Sequence, residues 1–246
     1  MGLKDEIKRE VKKILDAKFE VENIEYVPDI ENPKLTYGNK GLLLEGTVLY
    51  IDMRGSTSIL SKHNRPMVAK IHMSYFHAIL KIAEKYNAEV RSFNGDSVLV
   101  FFPGKTKIIV NNAVRAAMEM SYIISSDEGI NQDLQKYSSV DFGIGIDYGH
   151  ILCTKIGLAK KTNKKDLIWI GHCVNKSTVI SDACKNPNHV GISKIVFENL
   201  NENLTYFIQK NIFGVDAKTD AWYSSYISYN DLSEEYYYTS CHIVVD

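Results

Sequence analysis

Two short runs rich in strand-forming residues, 88–93 and 97–102, flank Asn94-Gly95-Asp96. An Asn-Gly step between such runs is the strongest local hairpin signal, because both residues tolerate positive φ. A hairpin in mid-chain obliges its flanks to pair with it or to pack over it. Those flanks alternate in period. Residues 46–53 form an apolar run that stops at the turn-like Arg54-Gly55-Ser56-Thr57-Ser58, and Met67, Ile71, Ala78, Ile82 and Tyr86 then recur at helical spacing. Beyond the hairpin, Ala113, Ala117, Met120 and Ile124 mark a second helix, and residues 140–147 and 150–156 read as another hairpin about Tyr148-Gly149. A strand over 167–170 leads through Gly171 into a helix from about 173 to 184. Strand, helix, strand, strand, helix, strand predicts an α+β fold with a ferredoxin-like split βαβ core (βαββαβ), an antiparallel sheet with helices on one face.

Ahead of this core, Leu3, Ile7, Val11, Ile14 and Leu15 predict an amphipathic helix over 3–18, followed by a Pro-, Gly- and Asx-rich loop. The chain therefore divides into an N-terminal helix with its connecting loop, 1–41, and a main domain, 42–246. Tyr236-Tyr237-Tyr238 near the C-terminus reads as a packed strand. With 29 basic and 30 acidic residues among 246, the chain has no general field for nucleic acid or an acidic membrane. Any anionic ligand must be held by a few placed groups. The longest apolar run, 41–51, is broken by Glu45 and falls short of the ~20 residues that span a bilayer. The opening segment is too charged for a signal peptide, and Glu6 spoils a myristoylation pattern. The four cysteines form no CxxC pair, so reduced thiols and a cytoplasmic location are expected.

Two carboxylates stand where chemistry is expected. Asp52 ends an apolar strand just before Arg54-Gly55-Ser56-Thr57, and Asp96 follows the hairpin turn. In a ferredoxin-like sheet these positions lie side by side. Two carboxylates completed by substrate phosphates are the usual protein share of a Mg²⁺ or Mn²⁺ site, and small residues between them let backbone N–H groups approach a polyphosphate. Taken singly, each Asp also fits an Asx-turn or a helix cap; the pair favours metal. Tyr50 shares a strand face with Asp52 and reads equally as a nucleotide-pocket wall or a core aromatic.

These residues resemble a family. Tyr50-x-Asp52-x-Arg54-Gly55-Ser56-Thr57, Asn94-Gly95-Asp96, Gly143-Ile144-Gly145-Ile146-Asp147-Tyr148-Gly149 and Gly171-His172-Cys173-Val174-Asn175 are similar, in order, to the motifs of class III nucleotidyl cyclases. The opening helix, Val27-Pro28-Asp29-Ile30, Leu35-Thr36-Tyr37-Gly38 and the Asp-Met-Arg-Gly-Ser-Thr form resemble most the pyrimidine cyclases of Pycsar anti-phage systems. The resemblance implies two metal ions, Mn²⁺ or Mg²⁺, on Asp52, Asp96 and the Met53 carbonyl. It implies that Arg54, Gly55, Ser56 and Thr57 wrap the triphosphate. Asn175 would orient the ribose from the opposite protomer of a head-to-tail homodimer with its sites at the interface. The 3′-hydroxyl would attack the α-phosphorus and pyrophosphate would leave.

Departures from the family pattern sharpen the expectation. The two purine-reading positions hold Ser92 and Ile168, which argues against an ordinary adenylate or guanylate cyclase. Val179 stands where the family places a transition-state arginine. Loss of such a donor costs about 10²–10³ in rate, so either the protein is slow or catalytically dead, or another cation substitutes. Arg54 comes first, since it sits in the phosphate loop; Arg91, on the strand face opposite Ser92, is a weaker choice, and Lys176 and Lys210 read more as solvated surface lysines. The expected activity is UTP to cyclic UMP, a second messenger in anti-phage defence read by a separate effector. Cyclic CMP, an atypical adenylate cyclase and a catalytically dead nucleotide-sensing dimer are the alternatives. His72 and His77 are five apart and do not share a helix face.

Overall fold

The computed structural model describes residues 2–157, 165–210 and 216–245. Helix α1 (Leu3–Asp16) and strand β1 (Glu20–Asn23) precede the long strand β2 (Lys40–Arg54). There follow α2 (Ser56–Lys62), α3 (Arg65–Lys85), β3 (Glu89–Asn94), β4 (Ser97–Pro103), α4 (Lys107–Ser125) and α5 (Asn131–Leu134). Next come β5 (Asp141–Gly157), β6 (Lys165–Ile170) and α6 (His172–Ala183). The C-terminal part adds β7 (Val190–Ser193), α7 (Lys194–Phe197), α8 (Glu202–Thr205), β8 (Tyr206–Lys210), β9 (Asp216–Asp220), β10 (Tyr223–Tyr229) and β11 (Leu232–Thr239).

The main sheet runs β10-β11-β7-β5-β2-β4-β3, with β1 on β2 and β6 on β5. Its four central strands, β5-β2-β4-β3, are antiparallel throughout. With α3 and α4 as the crossovers they make the expected βαββαβ core. Alternation along β2 decides which residues face which layer. Leu49, Ile51 and Met53 join Val98, Val100, Ile71, Tyr75 and Ile79 under α3 and α4. Leu42, Leu44 and Val48 face the other way, with Phe101, Ile151, Cys173 and Val174. Ile24, Val27 and Leu35 cover that second face as well, so the irregular segment before β2 is packed down.

Helices therefore lie on both faces, not on one as expected. The reason is Gly143-Ile144-Gly145. A Cβ at Gly145 or Gly143 would overlap the carbonyl oxygens of Ser177 and Ser181, so α6 lies backbone-to-strand across β5. The hairpin expected at Tyr148-Gly149 is also absent. Residues 141–157 form one strand, paired with β2 without a break from Asp141↔Arg54 to Thr154↔Gly41. A partner as long as β2 satisfies the backbone through the Tyr-Gly step, and the Tyr148 hydroxyl donates to Glu45 at 2.5 Å.

The β3–β4 hairpin forms as expected, one residue later than the Asn-Gly step suggests. Asn94 pairs with Ser97, so the two-residue turn is Gly95-Asp96, and only Gly95 there has positive φ (66°). A bulge precedes it between Arg91 and Asn94, with Ser92 at φ 55°. Tyr236, Tyr237 and Tyr238 lie in β11, where Tyr237 stacks on Phe197 at 3.8 Å. Helix α1 is amphipathic as expected and buries none of its residues. The Asn39 amide donates to the Ile14 and Ala17 carbonyls at 2.6 and 2.9 Å and fixes its C-terminal end. No helix among the described residues is long and apolar enough to cross a membrane.

Candidate active site

The register of three strands creates the site. Asp52, near the end of β2, stands opposite Ser97 of β4 and Gly143 of β5. The Met53 N–H reaches the Asp96 carbonyl at 3.4 Å, which holds the Gly95-Asp96 turn beside it. That turn sets the Asp96 carboxylate close enough to Asp52 to act on it electrostatically. Burial, and then the like charge of Asp96, push the Asp52 pKa above the ordinary carboxylate range, with Arg54 opposing them. Tyr50 lies on the same strand face; burial raises its phenol, and Ser97, Asp52, Asp182 and Asp96 are its polar surroundings.

Arg54 uses all five of its N–H donors inside the protomer. Nη1 binds Asp52 Oδ2 at 2.9 Å and Asp182 Oδ1 at 3.2 Å. Nη2 donates to the carbonyls of Ser181 and Cys184, and Nε reaches Cys184 at 3.4 Å. These carbonyls end α6, where the helix dipole favours a cation. Gly55 turns the chain away at φ 69° and caps α2. A Cβ built on Gly55 or Gly95 would meet nothing within 4 Å, so the ground above both turns is open. Between them lies a cavity of about 260 Å³ lined by Ser56, Thr57, Leu60, His72, Gly95 and Asp96. The His72 Nδ1–H is tied to the Val68 carbonyl at 2.9 Å.

The donor set fits a hard divalent ion. Two carboxylate groups in mutual repulsion, beside open space, suit Mg²⁺ or Mn²⁺ with remaining positions left to water and phosphate oxygen. Among the described residues no three His, Cys, Asp or Glu side chains converge into a closed cage.

Other residues singled out in the sequence lie elsewhere in the protomer. Ser92 is exposed on the same hairpin as Asp96, at the bulge. Ile168, on β6, pairs with Thr154, which pairs with Gly41. Gly41 precedes Asp52 by eleven residues of β2, or about 35 Å of strand. Asn175 is exposed on α6, on the helix face that also carries Val179 and Asp182. Lys176 is held by Glu234 at 2.6 Å and lies over the Tyr229 ring. Arg91 binds the Pro28 carbonyl and Glu89. The Lys210 side chain lies outside the described residues. Sequence reasoning passed over Asp182 and set His72 aside. An acid at a helix end and a lone histidine carry no local signal; only the approach of α6 and α3 gives them neighbours.

Comparison with known proteins bears on the family and the fold. Residues 44–228 match the adenylate and guanylate cyclase catalytic domain. A protein named uridylate cyclase from Xanthomonas perforans is 31% identical over 179 residues, 71% of this chain and 74% of the relative. A uridylate cyclase of Burkholderia cepacia is 26% identical over 210 residues, 84% of this chain and 88% of the relative. The adenylyl cyclase CyaB from P. aeruginosa superposes with a TM-score of 0.65 at 18% identity, over 84% of this chain and 96% of that one, a likeness of fold. The matched span contains Asp52, Asp96 and Asn175 together with all of the βαββαβ core but the first four residues of β2, and the chain belongs to the class III nucleotidyl cyclases, the family of adenylate and guanylate cyclase catalytic domains.

Proposed function

We propose that the protein is a uridylate cyclase that converts UTP to cyclic UMP and pyrophosphate. The observation that carries this reading is the meeting of Asp52 and Asp96 beside the open Gly55–Thr57 turn on a class III fold. Support for uracil comes from the name the curated relatives bear, while Ser92 and Ile168 at the two purine-reading positions argue against a purine. Two Mg²⁺ or Mn²⁺ ions, held by Asp52, Asp96 and the Met53 carbonyl, would acidify the 3′-hydroxyl and neutralise the leaving phosphates. Gly55, Ser56 and Thr57 line the triphosphate, and Tyr50 walls the nucleotide pocket next to the carboxylates.

A single protomer supplies half a site. Ile168 lies about 35 Å of strand away from Asp52, and Asn175 is exposed on α6. A homodimer that brings Ile168 and Asn175 of one copy to Asp52 of the other completes it, as two-fold symmetry allows. Residues 42–246 then form the catalytic domain, with 1–41 as an added helix and strap. In an anti-phage system of the Pycsar kind the product would act in the cytoplasm on a separate effector.

The test is incubation of the purified protein with each of the four ribonucleoside triphosphates and Mn²⁺, with products identified by mass spectrometry. Cyclic UMP is expected. Cyclic CMP would keep the pyrimidine pocket and change its base. Cyclic AMP would overturn the reading of Ser92 and Ile168. The absence of product with every nucleotide would favour a nucleotide-sensing dimer.

A further inference from the structure

The contacts of Arg54 assign it a role that its place in a phosphate loop does not require. Its guanidinium is anchored at one end and exchangeable at the other. Nη2 and Nε are fixed on the Ser181 and Cys184 carbonyls at the end of α6. Those bonds do not involve the carboxylate pair. Only Nη1 touches Asp52, at 2.9 Å, and the same nitrogen already has a second acceptor in Asp182 at 3.2 Å. Asp52 is one-fifth exposed and Asp182 nearly two-thirds, so the second acceptor is the better hydrated of the two.

We propose that Arg54 is a resident cation of the metal site, a positioning residue that holds Asp52 before a divalent ion is bound and yields that one contact when the ion arrives. This rests on the two-carboxylate cyclase reading. Two like charges packed together need a counter-charge while the site is empty of metal. The guanidinium provides it from a helix end without blocking the open ground above Gly55 and Gly95. When Asp52 is committed to a divalent ion, Arg54 keeps its carbonyl anchors and its bond to Asp182. One Nη1–H is then released toward the phosphates. A cation absent at Val179 is thereby delivered only to a metal-loaded site.

The exchange predicts opposite signs for two properties of Arg54→Met in the full chain. Without metal the variant should unfold at a lower temperature, since Asp52 and Asp96 lose their counter-charge. Its affinity for Mn²⁺ alone, measured by electron paramagnetic resonance without nucleotide, should rise about five- to tenfold, because a competing ion pair is gone. Asp182→Ala should weaken Mn²⁺ binding, because the yielding Nη1 loses its alternative acceptor. In the wild type, Mg²⁺ should shift the Arg54 Nη1 proton resonances and leave the Nη2 ones in place. With only five arginines in the chain these signals are assignable by single substitutions. Weaker Mn²⁺ binding in Arg54→Met, or Nη1 signals indifferent to saturating Mg²⁺, would overturn the exchange while leaving the cyclase site intact. Wild-type Mn²⁺ binding that Asp52→Asn does not diminish would instead remove the two-carboxylate reading on which it rests.

Discussion

Two acidic regions of this molecule are built on opposite principles. Glu119, on α4, is 3% exposed and fully supplied: Lys85 donates at 2.8 and 2.9 Å and the Tyr86 hydroxyl at 2.7 Å. One negative charge meets one positive charge and a further donor. Asp52 instead faces a second carboxylate, Asp96, and shares its one guanidinium with Asp182. The first region joins α3 to α4 and has nothing left to bind. The second holds surplus negative charge at an open surface, an arrangement suited to recruiting a cation. Burial of an acid alone does not mark a site; the imbalance around it does.

The strongest way to break this contrast is to remove each acid in turn. Asp52→Ala and Asp96→Ala should each lower cyclic nucleotide production by at least about 10²–10³-fold, read by mass spectrometry at saturating Mn²⁺. Undiminished turnover would put the carboxylate pair on the structural side of the comparison. The dimer offers the next test. Asp52→Ala and Asn175→Ala protomers, each inactive alone, should regain about a quarter of wild-type turnover when mixed and allowed to exchange, since a symmetric dimer then keeps one intact site in half of its copies. No recovery would mean that each protomer completes its own site.

Stability should divide the two regions the other way. Glu119→Gln leaves the Lys85 ammonium with a weaker partner and should cost about 1–2 kcal/mol in urea unfolding, moderated because Lys85 is half exposed. Asp52→Asn should leave the metal-free protein as stable as the wild type or more so. Equal losses at both positions would erase the distinction between a satisfied acid and a surplus one.

A smaller effect appears in the pH dependence. Burial and Asp96 raise the folded-state pKa of Asp52 above its unfolded value, so the folded protein binds that proton more tightly. The resulting stabilisation is complete below the unfolded pKa and is lost as pH climbs through the folded one. The stability of the wild type relative to Asp52→Asn, from urea midpoints without metal, should therefore decline as pH rises from the ordinary aspartate range. A rise over that window would show that Arg54 outweighs Asp96.

Much of the core was legible because its signals are local. The apolar spacing of Met67 through Tyr86 appears as α3, and Asn94-Gly95 marks a turn within one residue of its position. The error at Tyr148-Gly149 has a tertiary cause. A Tyr-Gly step resembles a turn in isolation, and only the length of β2 keeps β5 extended through it. The placement of α6 on the second sheet face was likewise invisible, since Gly143 and Gly145 read as strand residues until a helix backbone lies on them. The closeness of Asp52 and Asp96 followed from topology. The engagement of Arg54 did not, because its partners Ser181, Asp182 and Cys184 lie about 130 residues away.

By itself the sequence determined most elements of the βαββαβ core and their order, because hydrophobic period, turn residues and motif spacing act over a few residues along the chain. It also determined the kind of chemistry available, by setting two aspartates beside a small-residue loop. Only the tertiary structure decided what each charge faces. It gave Glu119 its donors, gave Arg54 to Asp52 and to the end of α6, and set Ile168 far along the sheet from Asp52. Electrostatic partnership depends on distance through space, and that distance is created by strand register and helix packing between segments remote in the chain.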